Sequence, residues 1–324
     1  MRAIEVRRIG GPEVLNCSET TRPQPGDGEL LIEVEAVGVN FIDTYFRTGL
    51  YPRPVPFIVG SEACGTVAAI GAGVSGFVVG DRVVTAAAEG GYAEYCTAKA
   101  ALTAKVPPLI ASDIAAAALL KGLTAHYLLT AVYPVQHGDT VLVHAGAGGV
   151  GLILTQWATH LGARVITTVS TPEKETLSRQ AGAAEVLPYP TDPAAFGARI
   201  RALTNGVGVQ AVYDGVGATT FDASLASLAV AGTLALFGAA SGPVPPVDPQ
   251  RLHHAGSVFL TRPSLVHFTR TAEEFRRRAN ALFEAIEAGA ITVTVGGRYP
   301  LAEAARAHRD LQARATTGSL VLIP

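Results

Sequence analysis

Cysteine is scarce: Cys17, Cys64 and Cys96 are widely spaced and odd in number. They support neither a disulfide framework nor a C-x-x-C zinc site, and each reads as a small buried hydrophobe rather than a nucleophile. Charge is scarce too. Only 16% of residues are charged and the net charge is −2, so no basic field invites nucleic acid or anionic lipid. The opening MRAIEVRRIGG has no signal-peptide apolar core; it alternates like a first strand and starts as a cytoplasmic protein would. The most apolar window, residues 114–135, is interrupted by Lys121, Gly122 and His126, which makes it a buried helix region and not a membrane span.

What the chain has in abundance is apolar residues, 48% of 324, enough for cores in about two domains. It also has 35 glycines, and their placement is informative in residues 139–151, DTVLVHAGAGGVG. The run Val141-Leu142-Val143 reads as a strand, and the apolar residues 152–161 read as a helix. Gly146, Gly148 and Gly151 between them have G-x-G-x-x-G spacing, and a second strand over 163–169 completes a βαβ unit. In such a unit the first glycine allows the sharp turn, the second lets a pyrophosphate reach the backbone, and the third lets helix and strand pack closely. The unpaired N–H groups of the helix N-terminus then face the phosphates.

After the second strand, Ser170 stands where an NAD site places an acid on the ribose 2′-OH. A small hydroxyl leaves room for a 2′-phosphate, and Lys174 lies about one helical turn on. The missing acid favours NADPH over NADH; the other reading of Lys174 is a solvated helix residue.

Residues 1–110 carry short strand-like runs, 30–37, 66–70 and 82–86, between Gly, Pro and Asp clusters, as a barrel-like domain does. From Ser112-Asp113, which read as a helix cap, the pattern turns to helices alternating with strands: helices 172–181, 193–203 and 219–230, strands 185–189, 209–213 and 233–237. This alternation implies a parallel sheet covered on both faces. Residues 257–260 are expected to form an edge strand open to a second subunit. Thr271 and Glu274 have capping-box spacing at the head of an amphipathic helix over 271–287, and residues 319–323 form a final strand. Strands at both chain ends imply an α/β protein in which the dinucleotide domain is inserted into a β-rich one, divided as 1–122, 123–260 and 261–324.

Five segments carry a resemblance: 39–45 (VNFIDTY), 121–125 (KGLTA), 144–151 (HAGAGGVG), 213–217 (YDGVG) and 314–318 (RATTG). With them the chain resembles, over its whole length, the zinc-independent quinone oxidoreductases, the zeta-crystallin-like branch of the medium-chain dehydrogenase/reductases. The resemblance implies a GroES-like catalytic domain, a Rossmann domain, NADPH as cofactor and a homodimer. It places Asn40 and Tyr45 beside the nicotinamide and the substrate, and Gly146, Ala147, Gly148, Gly149 and Val150 on the pyrophosphate. Ser170, Lys174 and Tyr189 fall around the 2′-phosphate; Thr124, Val216, Gly217, Phe237, Gly238, Arg262 and Arg314 complete the cofactor set. Where the zinc enzymes of the superfamily carry a Cys and a His, this chain has Asn40-Phe41-Ile42-Asp43 and Gly60-Ser61-Glu62, so no metal is expected.

The expected function is NADPH-dependent reduction of a quinone or related small electrophile, with the hydride chemistry left to the cofactor. Tyr45 has two readings, a hydrogen-bond donor to the acceptor carbonyl or an amphipathic wall residue. Asn40 would orient the acceptor, and Arg262 and Arg314 either hold cofactor or form surface ion pairs. Asp43 and Glu62 read as binders of backbone amides and His144 as a packed or hydrogen-bonded residue, none of them a catalyst. The alternatives are reduction of an activated C=C bond, which adds proton delivery to carbon, and a non-catalytic NADPH-binding crystallin-like or RNA-binding protein. The absence of a basic patch argues against RNA.

Overall fold

The computed structural model describes residues 1–324 and divides them into two compact units. The first comprises Met1–Leu123, Thr269–Ala288 and Thr292–Pro324; the second comprises Thr124–Phe268 and Gly289–Ile291. The second unit runs beyond residue 260 as far as Phe268, whose ring stacks on Tyr127 with centroids 4.4 Å apart.

The first unit lays down β1 (Arg2–Val6), β2 (Leu15–Glu19), β3 (Glu29–Val39), helix α1 (Phe41–Thr48), β4 (Phe57–Ile58), β5 (Glu62–Ile70), β6 (Arg82–Thr85), β7 (Ala88–Glu89), β8 (Tyr95–Lys99), β9 (Thr103–Lys105) and most of α2 (Ser112–Tyr127). β3 is its centre. It pairs antiparallel with β5, β8 and the last strand of the chain, and over Ile32–Ala36 it alternates buried and exposed residues as a one-sided sheet requires. At Val37–Val39 burial becomes continuous, because α2 covers this end: a Cβ on Gly38 would overlap both the Glu62 carboxylate and the Ala116 carbonyl.

The second unit contains β10 (Thr140–Val143), α3 (Gly149–His160), β11 (Arg164–Val169), α4 (Pro172–Gln180), β12 (Glu185–Pro188), α5 (Pro193–Leu203), β13 (Val209–Asp214), α6 (Phe221–Ser227), β14 (Leu228–Leu236), α7 (Gln250–His254) and β15 (Phe259–Thr261). Its six strands are all parallel, in the order β12-β11-β10-β13-β14-β15. Leu142, Ile166, Val212 and Leu234, one from each of four adjacent strands, are fully buried. Each contributes about 1.5–3 kcal/mol by burial. The chain leaves β10 toward β11 on one side and reaches β13 on the other, so the strand order reverses at β10/β13, where open parallel sheets bind ligands.

After β15 the chain returns to the first unit with α8 (Ala272–Glu287), β16 (Val295–Pro300), α9 (Ala304–Gln312) and β17 (Ser319–Ile323). β17 pairs with β3 at Val37–Val39.

Several local expectations are corrected. The helix expected over 219–230 spans only Phe221–Ser227, because Thr220 gives its hydroxyl to Asp214 and Leu228 already pairs with Val209 in β14. Ser112 does not cap α2; its hydroxyl donates to Glu35 Oε2 at 2.5 Å. The capping box at α8 is half formed: Thr271 Oγ1 accepts from Glu274 N, but the Glu274 carboxylate accepts from Arg270 N, one residue early. Cys64 and Cys96 are buried, with thiols pushed up to about 12 by burial, but Cys17 is exposed. The apolar helix continues through Val132 and by length and composition is able to cross a membrane, yet 78% of its most apolar window is buried inside the protein.

Candidate functional site

In the second unit the glycine turn has the shape a dinucleotide needs. A Cβ on Gly146 would meet Thr167 Cβ at 2.5 Å and Ser178 Oγ at 2.8 Å, and one on Gly151 would overlap the Ala145 carbonyl. Those two glycines serve close packing. Gly148 between them is different: a Cβ there meets nothing nearer than Ala145 O at 3.3 Å, so the backbone is open to a ligand. Gly148 is the N-cap of α3 and offers no side chain to its first turn, which leaves the N–H groups of Gly149 and Val150 facing outward at the positive end of the helix. Ala147 is buried beneath this turn. The cradle fits a pyrophosphate.

Ser170 directly follows β11, exposed, and accepts a hydrogen bond from Lys174 Nζ at 3.3 Å. Lys174 sits in the first turn of α4, held there because Thr171 Oγ1 caps the helix by accepting from Lys174 N. β12 pairs with β11 through Val169 and Pro188, which brings Tyr189 to the same sheet end as Ser170. A hydroxyl, an ammonium and an aromatic phenol thus gather there, with no carboxylate at position 170.

On the other side of the switch point, Asp214 closes β13 fully buried. Its Oδ1 accepts from Val216 N at 2.8 Å and Gly217 N at 3.0 Å, which folds residues 214–217 into a tight turn. The end of β14 packs on this turn: Phe237 N donates to Asp214 O, Ser241 N to Val216 O, and the Phe237 ring lies where a Cβ on Gly215 would be, 2.7 Å away. Val216, Gly217, Phe237 and Gly238 are therefore one surface. Gly217 has φ +93°, a conformation that favours glycine. Thr124 is buried on α2, and Arg262 is exposed just after β15.

In the first unit Asn40 follows β3 and is the N-cap of α1. Both ends of its carboxamide are engaged. Nδ2 donates to Glu62 Oε2 at 2.8 Å and Gly38 O at 3.2 Å, while Oδ1 accepts from Lys121 Nζ at 2.8 Å. Lys121 also donates to Glu62 Oε2 at 3.1 Å, and Glu62 Oε1 accepts from Leu120 N. Asn40, Glu62 and Lys121 are all buried. No group of three or more His, Cys, Asp or Glu side chains is arranged to hold a metal ion.

Asp43 is fully buried. It accepts from Asn40 N at 2.9 Å, Ser61 Oγ at 3.1 Å and Tyr92 OH at 3.2 Å, yet burial still pushes its carboxyl up to about 6. The chain of contacts continues from Tyr92 OH to His308 Nε2 at 3.0 Å and from His308 Nδ1 to Arg47 Nη1 at 2.9 Å. Because Arg47 only donates, Nδ1 is an acceptor and Nε2 carries the proton, which it gives to Tyr92. Burial and the neighbouring guanidinium hold His308 down to about 3, a neutral imidazole.

Tyr45, on α1, lies in an aromatic cluster, edge-on to Tyr51 at 5.3 Å and tilted to Phe41 at 6.5 Å. Arg314 belongs to this unit; it is exposed after α9 with φ +55°.

Two family models match the chain, an alcohol dehydrogenase GroES-like domain over residues 26–108 and a zinc-binding dehydrogenase over 149–285. The chain is 45% identical to a quinone oxidoreductase of Pseudomonas aeruginosa, covering 100% of this chain and 99% of that one. It belongs to the quinone oxidoreductase family. A 2-haloacrylate reductase of a Burkholderia species is 40% identical over 99% of this chain and 98% of its own. A mycobacterial protein solved with NADPH superposes with a TM-score of 0.99 at 71% identity, covering all of both chains. As in the expectation from sequence, this family's fold joins a GroES-like domain to a parallel dinucleotide-binding sheet. Lys121 and the Tyr92–His308 pair carry no sequence signal, since their partners lie far off in the chain. Asp214 binds groups two to ten residues on, and the DGVG turn after β13 is the signal that could find it.

Proposed function

We propose that the protein reduces quinones with NADPH, taking up a hydride and a proton per quinone to release the hydroquinone. What carries this reading is full-length membership of the quinone oxidoreductases together with an open pyrophosphate cradle at Gly148. Bound NADPH supplies the hydride. The chain's own residues bind and orient it: Gly146–Val150 receive the pyrophosphate, and Ser170, Lys174 and Tyr189 receive the 2′-phosphate. Val216, Gly217, Phe237, Gly238, Thr124, Arg262 and Arg314 line the rest of the cofactor. Tyr45 and Asn40 attend the acceptor, Tyr45 as a wall or hydrogen-bond donor, and Asn40 with its carboxamide held by Lys121 and Glu62. A reduced quinone oxygen is a stable base that can be protonated from solvent, so the reaction demands no strong buried acid.

The functional division follows the sequence reading, with a catalytic domain formed by 1–122 and 261–324 around a cofactor domain 123–260. The protein works in the cytoplasm as a homodimer joined through the free edge of β15, where Phe259 is 63% exposed. The kinship with the 2-haloacrylate reductase supports a second reading, reduction of an activated C=C bond. Following NADPH and NADH oxidation with a para-quinone, an ortho-quinone, an alkenal, an enoyl-CoA and 2-chloroacrylate separates the two. NADPH-selective turnover of quinones is the expected result; turnover confined to the alkenes transfers the protein to the second reading.

A further inference from the structure

A buried chain of side chains crosses the carboxyl ends of three adjacent strands in the second unit. Thr168 on β11 meets His144 Nδ1 at 2.8 Å, His144 Nε2 meets Ser224 Oγ at 3.0 Å, and Ser224 Oγ donates to Asp214 Oδ2 at 2.7 Å. All four side chains are shut away from solvent. The direction of the protons follows from the last contact. Ser224 gives its only proton to Asp214 Oδ2, so the Ser224 oxygen must accept from His144 Nε2–H. His144 Nδ1 is then left to accept from Thr168. Burial holds the imidazole in its neutral form, which suits one donor and one acceptor nitrogen.

Three of the four members adjoin a position assigned above to the cofactor, and Ser224 joins two of them, His144 and Asp214. Thr168 lies two residues before Ser170, and its carbonyl accepts from Gly146 N at 2.9 Å. His144 immediately precedes the glycine turn, and its own N–H is fixed on Tyr213 O. Asp214 holds Val216 and Gly217 by their N–H groups. We infer that His144, Ser224 and Asp214 are positioning residues for NADPH, locking the glycine turn, the 2′-phosphate corner and the Val216–Gly217 turn into one preorganised surface. The inference rests on the NADPH reading. It goes further in stating that residues which do not touch the cofactor set its affinity, because a preformed surface avoids the ordering cost that a loose turn imposes on binding.

Removing the Ser224 hydroxyl leaves His144 Nε2–H without an acceptor and Asp214 short of a donor, so the turn that Asp214 organises loosens. The experiment compares Ser224→Ala, His144→Phe, His144→Gln and Thr168→Val with wild type. It measures NADPH affinity by fluorescence titration, KM for NADPH, kcat at saturation, KM for the quinone and the melting temperature. For Ser224→Ala and His144→Phe, Kd and KM for NADPH should rise about tenfold, while the quinone KM and saturated kcat change about twofold or less. His144→Gln should recover most of the lost affinity, since its amide oxygen can accept from Thr168 and its amide nitrogen can donate to Ser224. A lowered melting temperature with unchanged NADPH affinity in both disruptive variants reduces the chain to scaffold and overturns the inference. If those two variants do not fold, Thr168→Val decides: a rise of about threefold in NADPH Kd upholds it and no rise overturns it. Wild-type protein that takes up no NADPH at all overturns the cofactor reading and the inference together, which is a distinct outcome.

Discussion

Lys121 Nζ stands 3.1 Å from Glu62 Oε2, and both side chains are enclosed within the first unit. A buried ion pair contributes little net stability, since desolvation offsets its attraction, but removing one partner strands the other charge at a cost of about 3–5 kcal/mol. Lys121→Met should therefore destabilise by that amount, measured by urea unfolding. Adding Glu62→Gln, which removes the stranded charge, should recover part of the loss. The pair also holds Asn40, whose Oδ1 accepts from Lys121. Lys121→Met should thus lower kcat/KM for the quinone about tenfold and leave the KM for NADPH within about twofold. An equal effect on both substrates would disconnect Asn40 from the acceptor.

Acid stability depends on His308 and Asp43, which act in opposite directions. His308 is lowered from 6.5 to about 3, so the folded protein binds fewer protons there than the unfolded chain; its contribution is full above pH 6.5 and lost as pH falls toward 3. Asp43 is raised from 3.8 to about 6; its contribution is full below pH 3.8 and lost as pH rises through 6. In His308→Gln the amide can accept from Arg47 and donate to Tyr92, and it does not titrate. Between pH 7 and pH 4, wild type should lose roughly 3 kcal/mol more than this variant. Parallel curves of urea midpoint against pH would show that His308 is not the group that resists protonation.

How far the sequence could be read depended on how local the contacts are. The glycine turn was legible because strand, turn and helix are contiguous, so spacing alone determines which glycine packs and which opens to a ligand. The helix over 193–203 was legible for the same reason, with Asp192 capping it and Pro193 opening it. The Asp43 network was not, since Tyr92 lies 49 residues from Asp43, His308 216 from Tyr92 and Arg47 261 from His308. His144 was read as a packed or hydrogen-bonded residue, which it is, but its partners Thr168 and Ser224 belong to other elements. The helix after Asp214 is shorter than the expected 219–230 because its first residues bond elsewhere and Leu228 already pairs with Val209. Thr219 bonds to Ser241 and Thr220 to Asp214.

The edge of β15 gives a prediction about assembly. This strand pairs only with β14, Phe259 is exposed on it, and the neighbouring Val230 is 81% exposed. Open apolar edges invite pairing with another chain. Phe259→Asp should convert a dimer to a monomer in sedimentation velocity without altering the circular dichroism spectrum. A variant that remains dimeric places the interface elsewhere.

Cofactor preference should turn on two side chains at the end of β11. Ser170 presents a hydroxyl and Lys174 an ammonium, 3.3 Å apart, and neither is buried. A 2′-phosphate dianion here gains charge-assisted bonds, each worth about 1.5–3 kcal/mol, which corresponds to about ten- to a hundredfold in affinity. Lys174→Ala should raise the KM for NADPH by about tenfold or more, with little change for NADH, and should flatten the salt dependence of NADPH binding. Ser170→Asp should go further. A carboxylate at that position repels the phosphate and can accept from the ribose 2′-OH of NADH, so the preference should invert while kcat with either cofactor stays near its wild-type value. Both substitutions lie at an exposed corner, and the melting temperature should not move. If Lys174→Ala weakens NADPH and NADH alike, the ammonium serves the shared pyrophosphate or the helix itself, and the 2′-phosphate must be read by other residues.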